Sequence, residues 1–320
     1  FCEAAWLGPA GAQSVLVLIA GTHGVEGFCG SAAALAWLAE KGVTGLPEDT
    51  AALIIHALNP FGFAWLRRVT EKGVDLNRNC IDFAGPLPEN ASYDELADAL
   101  APRAIHGAVF DTAESTIAAF KARHGDLAFR TAVTSGQYKH PRGHFYGGAS
   151  PTWARNTLEA VIAQFSLMRR RTVAVIDFHT GLGPHGHGEI MSGYRPGMPA
   201  QERAERWYGR QLTNQFAHTS VSAVNSGLIE QGWQRLLGDR SVFVTLEFGT
   251  FEVEHILRAL REDQWLHTFG VVDWAAAETR RIKKQIRKAF HPDTQDWNRM
   301  VLQRSREVIA MALAGLAGKH

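Results

Sequence analysis

Hydrophobic residues along this chain form runs of two kinds, which predict strands and helices respectively. Four short runs are continuous and rich in Val, Ile and Leu, a pattern typical of strands that are buried on both faces of a sheet. Longer segments show apolar residues at helical spacing among charged ones. The predicted strands cover 14–20, 51–58, 172–178 and 242–246, and the predicted helices cover 28–41, 92–125, 151–168, 200–217 and the segment after 250. This alternation predicts an α/β fold with helices flanking a central sheet.

Weaker signals complete the predicted element order. Proline predicts breaks in two helical segments, at Pro102 and Pro292. We expect short strands at 1–7 and 219–224, irregular loops at 63–83 and 134–148, and an amphipathic helix at 297–316. The chain contains no internal repeat and no low-complexity linker. We therefore expect one domain, with a core at about 14–250 and a helical tail at 251–320.

Polar side chains that bind metals or move protons follow the predicted strands. His23 and Glu26 lie three residues apart in the glycine-rich turn after the first strand, a spacing that brings both onto one face of a helical turn. His179 and Glu247 follow the third and fourth strands. Open α/β sheets place their ligand sites at the carboxyl ends of their strands. Two histidines, one nearby carboxylate and one distant carboxylate are the parts of a catalytic zinc site.

This set of residues predicts a hydrolytic chemistry. One Zn²⁺ per chain, bound by His23, Glu26 and His179, would lower the pKa of a water molecule to about 7. Glu247 would accept the proton of that water and later pass it to the leaving group. Arg68 is the best-placed cation to stabilise the negatively charged oxygen of the tetrahedral intermediate.

The loop at 63–83 supplies further polar residues for substrate binding. Arg78, together with Asn77, could hold a substrate carboxylate through two parallel hydrogen bonds. Asp75 could orient a zinc-bound histidine by accepting a hydrogen bond from its other ring nitrogen. The loop therefore predicts a site that recognises a carboxylate beside the metal.

Four motifs in this order resemble the zinc carboxypeptidase-like hydrolases, a superfamily that includes carboxypeptidase A and the succinylglutamate desuccinylase and aspartoacylase group. The motifs are Gly-Thr-His-Gly-Val-Glu-Gly at 21–27, the loop Arg-Val-Thr-Glu-Lys-Gly-Val-Asp-Leu-Asn-Arg-Asn at 68–79, Asp-Phe-His-Thr at 177–180 and Thr-Leu-Glu-Phe-Gly at 245–249. The run at 59–68 most resembles a bacterial branch of carboxypeptidase-like metallopeptidases. The resemblance implies a mixed, mostly parallel sheet and a single zinc ion.

Composition limits the classes of partner. The chain carries 33 Lys and Arg against 32 Asp and Glu, and this net charge of +1 gives no electrostatic case for binding nucleic acid or a membrane surface. The three cysteines, Cys2, Cys29 and Cys80, argue against a disulfide scaffold and favour a reducing, cytoplasmic compartment. We expect Cys29 and Cys80 to be buried. The first residue is Phe1 rather than Met, so the sequence leaves the true start of the chain open.

Each proposed site residue also has a simpler explanation when it is taken singly. His23 could be a loop histidine and His179 a hydrogen-bonded core histidine. Glu26 is of a type that favours the positive end of a helix, and Glu247 could cap the helix that follows it. Arg67, Arg68 and Arg78 could be surface charges, and of the three we expect this most of Arg67.

Two further groups of residues attract a functional interpretation. Tyr138, Tyr146 and Tyr194 are candidates for the tyrosine that carboxypeptidases bring over the substrate. His185 and His187 could belong to a second metal site, although their surroundings favour a flexible glycine-rich loop.

Three functions fit the sequence. The first is a carboxypeptidase-type metallopeptidase that cleaves a peptide beside a free carboxylate held by Arg78. The second is a metal-dependent deacylase or amidase that acts on a small acylated amino acid or a cell-wall fragment. The third is a non-catalytic module that retains the metal pocket, and the presence of Glu247 beside all three ligands argues against it.

Overall fold

A mixed sheet of seven strands lies at the centre of the part of the chain that the structure describes. The computed structural model describes residues 1–222 and 224–319. The strands are β1 (Glu3–Leu7), β2 (Ser14–Ala20), β3 (Thr50–His56), β4 (Thr172–Gly181), β5 (Gly188–Ser192), β6 (Leu212–Asn214) and β7 (Ser241–Gly249), in the spatial order β1-β3-β2-β4-β7-β5-β6. Only β1–β3 and β5–β7 pair antiparallel among these strands. The prediction of a mixed, mostly parallel sheet is therefore confirmed.

Helices cover both faces of this sheet. They are α1 (Gly27–Glu40), α2 (Pro60–Trp65), α3 (Ala91–Leu100), α4 (Gly107–Thr134), α5 (Trp153–Gln164), α6 (Pro199–Tyr208), α7 (Ile229–Leu237), α8 (Val253–Thr268), α9 (Ala277–Phe290) and α10 (Gln295–Leu316). Side chains of α1, α6 and α10 pack on one face, and side chains of α5 and α7 pack on the other. The two cores account for the strands that are buried on both sides.

The central strands alternate between these two cores. On β2, Leu16 and Leu18 contribute to the core under α1, whereas Val15 and Val17 contribute to the core under α5. All seven residues of β2 are buried. A continuous apolar run is the expected sequence of such a strand, and all four strands predicted from such runs are confirmed.

A third apolar cluster lies at the carboxyl end of the sheet. It joins α3, α4, α8 and α9 and includes Val25, which follows β2, and Phe145, which lies in the loop after α4. The hydroxyl of Thr180 at the end of β4 donates to the main-chain oxygen of Phe290 at the end of α9. The predicted helical tail thus divides: α10 packs on the sheet, whereas α8 and α9 pack beside its carboxyl edge. The predicted breaks near Pro102 and Pro292 are confirmed.

The helix predicted at 200–217 is too long. It ends at Tyr208 because Gly209 has a φ of +56°, a conformation that glycine adopts readily, and β6 follows at Leu212–Asn214. After β6, the side chain of Asn214 accepts hydrogen bonds from the main-chain N–H groups of Phe216 and Ala217 and so closes a turn. The run predicted as a strand at 219–224 is irregular at 219–222 and at Val224, and its remaining residue, Ala223, lies outside the described residues.

The strand β5 has no clear signal in the sequence. Its residues, Gly188–Ser192, follow a glycine-rich segment and include a glutamate, and the strand forms by antiparallel pairing with β7. Pairing of this kind depends on a partner about 60 residues away rather than on local propensity.

The structure also shows the state of the cysteines and the hydropathy of the helices. Cys29 and Cys80 are buried, as expected, and the cysteines of the described residues are free thiols. None of the helices in the described ranges is both long and apolar enough to cross a bilayer.

Candidate metal centre

The predicted site lies at the carboxyl ends of β2, β4 and β7, on the sheet face that α5 and α7 cover. Along β4, Val175 belongs to the apolar core on this face, and the next two alternate positions are Asp177 and His179. His179 pairs in register with Glu247 of β7, so their side chains point to the same face. The alternation of the strands therefore carries polar groups directly beyond the core.

His23, Glu26 and His179 form a cluster in which one ligand atom from each residue lies within 4.8 Å of the other two. His23 Nδ1 is 2.9 Å from Glu26 Oε1, and His179 Nδ1 is 3.1 Å from both Glu26 Oε2 and His23 Nδ1. All three residues are buried. Two imidazole nitrogens and a carboxylate that face one another in this way fit a metal ion, because each offers a lone pair to the space between them.

Close backbone packing holds the turn that carries His23. A Cβ atom on Gly24 would lie 1.9 Å from the carbonyl carbon of Gly62, so no larger residue fits at this position. The next residue, Val25, donates its main-chain N–H to the main-chain oxygen of Arg67 at 2.9 Å. The turn with two of the three candidate ligands is thus fixed against the segment that follows α2.

Each histidine of the cluster donates a hydrogen bond from its second ring nitrogen to a carboxylate. His23 Nε2 lies 3.0 Å from Asp75 Oδ1, and His179 Nε2 lies 2.8 Å from Asp177 Oδ2. The hydroxyl of Thr22 also donates to Asp177. These contacts favour the tautomers in which Nδ1 is the free ligand atom. The role of Asp177 was not predicted, although its position two residues before His179 on a strand places both on one face.

The surrounding charges keep Glu26 of the cluster and the neighbouring Asp75 ionised. Burial alone raises the pKa of Glu26, but the adjacent His23 and His179 outweigh it and hold this pKa below its usual range. Burial likewise raises the pKa of Asp75, yet Arg68 and His23 bring it well below the usual value. Burial lowers the pKa of His179, but its carboxylate partners raise it by a larger amount. The pKa of His179 is therefore well above its usual value.

Glu247 differs from the other acids of the site. Burial, together with the negative charge of Glu26, raises its pKa to about 7. Its Oε1 accepts a hydrogen bond of 3.0 Å from the main-chain N–H of Leu182. Glu247 therefore does not cap the following helix, and a carboxyl group with this pKa can both accept and release a proton near neutral pH.

Arg68 is held between two carboxylates. Its Nη1 donates to Glu26 Oε1 and its Nε donates to Asp75 Oδ2, each at 3.0 Å. The guanidinium also lies over the ring of Phe145, 5.0 Å from the centroid. Its Nη2 makes no hydrogen bond within the described residues, so this nitrogen remains able to donate to a ligand.

Arg78 lies close to the same aromatic ring but has different partners. Its guanidinium carbon is 5.7 Å from the centroid of Phe145, and its nitrogens donate to the main-chain oxygens of Thr134 and Asn77. It forms no ion pair with any carboxylate of the described residues. Burial lowers its pKa to about 10. The side-chain oxygen of Asn77 accepts from the main-chain N–H of Ile229 at the start of α7.

The expectation that Arg67 is a surface charge is wrong. The residue is only 5% exposed, its Nε donates to Asp263 at 3.0 Å, and its Nη2 donates to Gln264 at 2.9 Å. These partners lie almost 200 residues later in the chain, so no local pattern shows them.

The three candidate tyrosines occupy different places. The hydroxyl of Tyr138 donates to the main-chain oxygen of Arg78 at 2.6 Å, and the main-chain oxygen of Tyr146 accepts from Asp75. Tyr194 is buried in the core, with its hydroxyl against Ser241 at the amino end of β7. Ser241 lies six residues before Glu247, about 20 Å along the strand, so Tyr194 does not reach the site.

The two histidines of the glycine-rich segment do not form a second metal cluster. His185 contacts the side chain of Asp296 and the main-chain oxygen of Thr250, and His187 is exposed. Within residues 1–222 and 224–319, one group of His, Cys, Asp and Glu side chains has its ligand atoms close enough together to hold a metal ion. That group is His23, Glu26 and His179.

A comparison with known protein families identifies the family of this chain. Residues 1–304 match the family described as "Protein of unknown function (DUF2817)". The chain belongs to the DUF2817 family. No curated protein matches this DUF2817 chain.

Solved structures with a similar arrangement include two enzymes. Carboxypeptidase A from Helicoverpa armigera is 14% identical, with a TM-score of 0.43, and the match covers 89% of the DUF2817 chain. The chain spans 63% of the length of that enzyme. Murein-tripeptide amidase MpaA from Escherichia coli O157 is 17% identical, with a TM-score of 0.37, over 87% of this chain and 85% of the amidase.

Proposed function

We propose that this protein is a zinc-dependent hydrolase of amide bonds, of the carboxypeptidase type. The observation that carries the proposal is the convergence of His23, Glu26 and His179 on one point, with Glu247 as a separate carboxylate at the same strand ends. A non-catalytic metal site has no need of a buried acid with a pKa near 7 beside the ligands.

Zinc suits this donor set better than a harder cation does. Two histidines and one carboxylate are a ligand set that zinc takes in catalytic sites, where a fourth position stays open. Magnesium and calcium prefer sites built from oxygen ligands. A zinc ion bound here would act as a Lewis acid, which polarises the scissile carbonyl and lowers the pKa of a water molecule.

Glu247 is the residue that we assign to proton transfer. At neutral pH a carboxyl group with a pKa of about 7 is present in both its forms. The ionised form accepts a proton from the attacking water, and the acid form gives a proton to the leaving amine. The hydrogen bond from Leu182 holds one carboxylate oxygen in place during both steps.

Arg68 is the residue that we assign to the developing negative charge. Glu26 and Asp75 fix its guanidinium, so the group is positioned before the substrate binds. Its Nη2 is then available to donate to the carbonyl oxygen as that oxygen becomes an oxyanion. Because the cation is already oriented, little reorganisation is needed when the charge appears.

Arg78 is the residue that we assign to a substrate carboxylate, with Asn77 beside it. A buried guanidinium whose partners are main-chain carbonyl groups retains its positive charge without an anion to balance it. A carboxylate that binds at this position supplies that anion. A deacylase acting on a small acylated amino acid is the second candidate, because such a substrate presents the same carboxylate beside its amide bond.

The test is a substrate panel with the zinc-loaded protein. The panel contains peptides with free C-termini, the same peptides with amidated C-termini, and N-acyl amino acids. We expect cleavage of a free-carboxylate substrate, and we expect Arg78→Met to raise its KM more than the KM of any amidated counterpart. Equal effects on both would remove Arg78 from carboxylate recognition. Cleavage of N-acyl amino acids alone would select the deacylase, and no cleavage of any amide by the zinc-loaded protein would contradict the proposed function.

A further inference from the structure

A buried cluster of charged residues connects the C-terminal helices to the segment that follows α2. Asp263 of α8 accepts hydrogen bonds from Arg67 Nε and from Lys283 Nζ of α9. Lys283 also donates to the main-chain oxygen of Trp65 at 2.8 Å and to His267 Nε2 at 2.7 Å. The side chains of Arg67, Asp263 and Lys283 are between 1% and 6% exposed.

This cluster is expensive to bury, so its position calls for an explanation. Removing charges from water is costly unless each charge is paired and hydrogen-bonded, and apolar residues of similar size often serve stability equally well. Here every member is satisfied: Arg67 also donates to Gln264, and burial together with the charge of Arg67 lowers the pKa of His267 to about 3, so its neutral ring accepts from Lys283. The metal centre described above does not use these groups directly.

The cluster reaches the metal ligands through the backbone. The main-chain oxygen of Arg67 accepts the hydrogen bond from Val25, which lies between the ligands His23 and Glu26. The next residue, Arg68, donates to Glu26 through its side chain. Fixing the side chain of Arg67 therefore fixes both the turn that carries two ligands and the arginine that contacts one of them.

The strand end that carries the third candidate ligand is also attached to α9. The main-chain oxygen of Phe290, at the end of α9, accepts a hydrogen bond of 2.7 Å from the hydroxyl of Thr180, the neighbour of His179. Through Lys283, helix α9 contacts the main-chain oxygen of Trp65 and the side chain of Asp263, the partner of Arg67. Through Phe290 it contacts the neighbour of His179. One helix thus braces both the backbone on which the turn with His23 and Glu26 rests and the strand end that carries His179.

We propose that Asp263 is a positioning residue for the metal centre: its pairing with Arg67 and Lys283 sets the geometry of His23, Glu26 and Arg68. The inference rests on the proposed function for its kinetic consequence, whereas its effect on metal affinity does not require turnover. The helical segment after residue 250 then contributes to the site, not only to the hydrophobic core.

The chain provides a matched control on the adjacent residue. Glu262 is as buried as Asp263, with each side chain 5% exposed, and it also pairs with cations of α8 and α9, Arg258 and Arg281. In the described part of the chain, Glu262 forms no hydrogen bond or ion pair with the segment after α2. Asp263→Asn and Glu262→Gln therefore both neutralise a buried acid of the same helix, and only the first one removes the negative charge that pairs with Arg67.

The experiment measures the zinc dissociation constant of each folded variant by competition with a chelator, together with thermal stability. We expect Asp263→Asn to weaken zinc binding about tenfold, the lower end of the effect of removing a group that orients a ligand. Glu262→Gln should leave the dissociation constant within about twofold. Gln264→Leu removes one bond to Arg67 and gives a milder variant, in which we expect a smaller weakening in the same direction should Asp263→Asn not fold.

The outcomes separate this inference from the proposed function. A variant Asp263→Asn, or Gln264→Leu in its place, that loses stability but binds zinc as tightly as the unchanged protein assigns the cluster a structural role and overturns the inference. An unchanged protein that takes up no zinc contradicts the metal centre itself. Tight zinc binding without amide cleavage contradicts the proposed hydrolysis alone, and the affinities of the variants still decide the inference.

Discussion

Neighbouring carboxylates in the site have opposite properties because their partners differ. Glu26 lies against two imidazole rings, which lower its pKa, whereas Glu247 is buried beside the negative charge of Glu26, which raises its pKa to about 7. One side chain is thus kept ionised and suits a cation, and the other suits proton transfer. The chemistry of the site depends on this difference rather than on the number of acids present.

Replacement of Glu247 by Gln tests the proton-transfer role. The variant retains the shape of the side chain and all three ligand residues, so we expect unchanged zinc content and a loss of turnover by a factor of about 10² to 10⁴. Elemental analysis and kcat with the best substrate of the panel provide the measurements. Glu262→Gln is the control for loss of a buried acid. Turnover of Glu247→Gln similar to that of the unchanged protein would show that another group moves the proton.

Single residues also show how far the sequence predicts the site. The types and spacing of His23, Glu26 and His179 predict a metal site because metal ligands are confined to a few side chains, and the structure brings the three residues together. Arg67 was misassigned, since its partner Asp263 is distant in the chain. Asp177 was overlooked because an acid within a predicted strand has no distinct signal until its histidine partner is known.

Strand alternation and one tight turn place the three candidate ligands. The turn after β2 approaches the backbone at Gly62 so closely that Gly24 admits no side chain. The continuous apolar runs predicted β2, β3, β4 and β7, since such strands are buried on both faces whatever their neighbours are. β5 and β6 have no clear sequence signal, because these short strands form by pairing with partners that are distant in the chain.

Replacement of Gly24 by Ala tests the importance of this turn. A Cβ at this position would overlap with the carbonyl carbon of Gly62, so the turn must move. We expect a loss in the free energy of unfolding of roughly 1–3 kcal/mol, as is typical of overpacking, together with weaker zinc binding. Denaturant unfolding and chelator competition measure the two effects. Gly11→Ala, where a Cβ would meet nothing within 4 Å, is the control, and equal behaviour of the two variants would contradict the packing argument.

Buried charges are distributed unevenly over the layers of the molecule. The two cores of the sheet are apolar, whereas the helical layer at the carboxyl edge contains the buried charged cluster around Asp263. One more acid is buried away from this layer: Glu230 of α7 accepts hydrogen bonds from the main-chain N–H of Gly193, and it pairs with no cation of the described residues. Burial raises the pKa of Glu230 to about 8.

Glu230 makes a testable contribution to the pH dependence of stability. An acid whose pKa is raised to about 8 from its ordinary value of 4.5 keeps its proton in the folded state while the unfolded state loses it. Its contribution is therefore fully present below pH 4.5 and is lost as pH rises to about 8. Denaturant unfolding at several pH values should show that Glu230→Gln removes a slope of about 1 kcal/mol per pH unit between these limits. The exposed Glu202→Gln should follow the unchanged protein, and parallel curves for all three proteins would contradict the assignment.

The central claim is that this fold holds a zinc ion between His23, Glu26 and His179. The most direct measurement is the metal content of the purified protein by elemental mass spectrometry, before and after addition of zinc, beside His23→Ala and His179→Ala. We expect about one zinc per chain, with a large decrease in both variants. Absence of zinc from the unchanged protein, with no uptake after zinc addition, would contradict it.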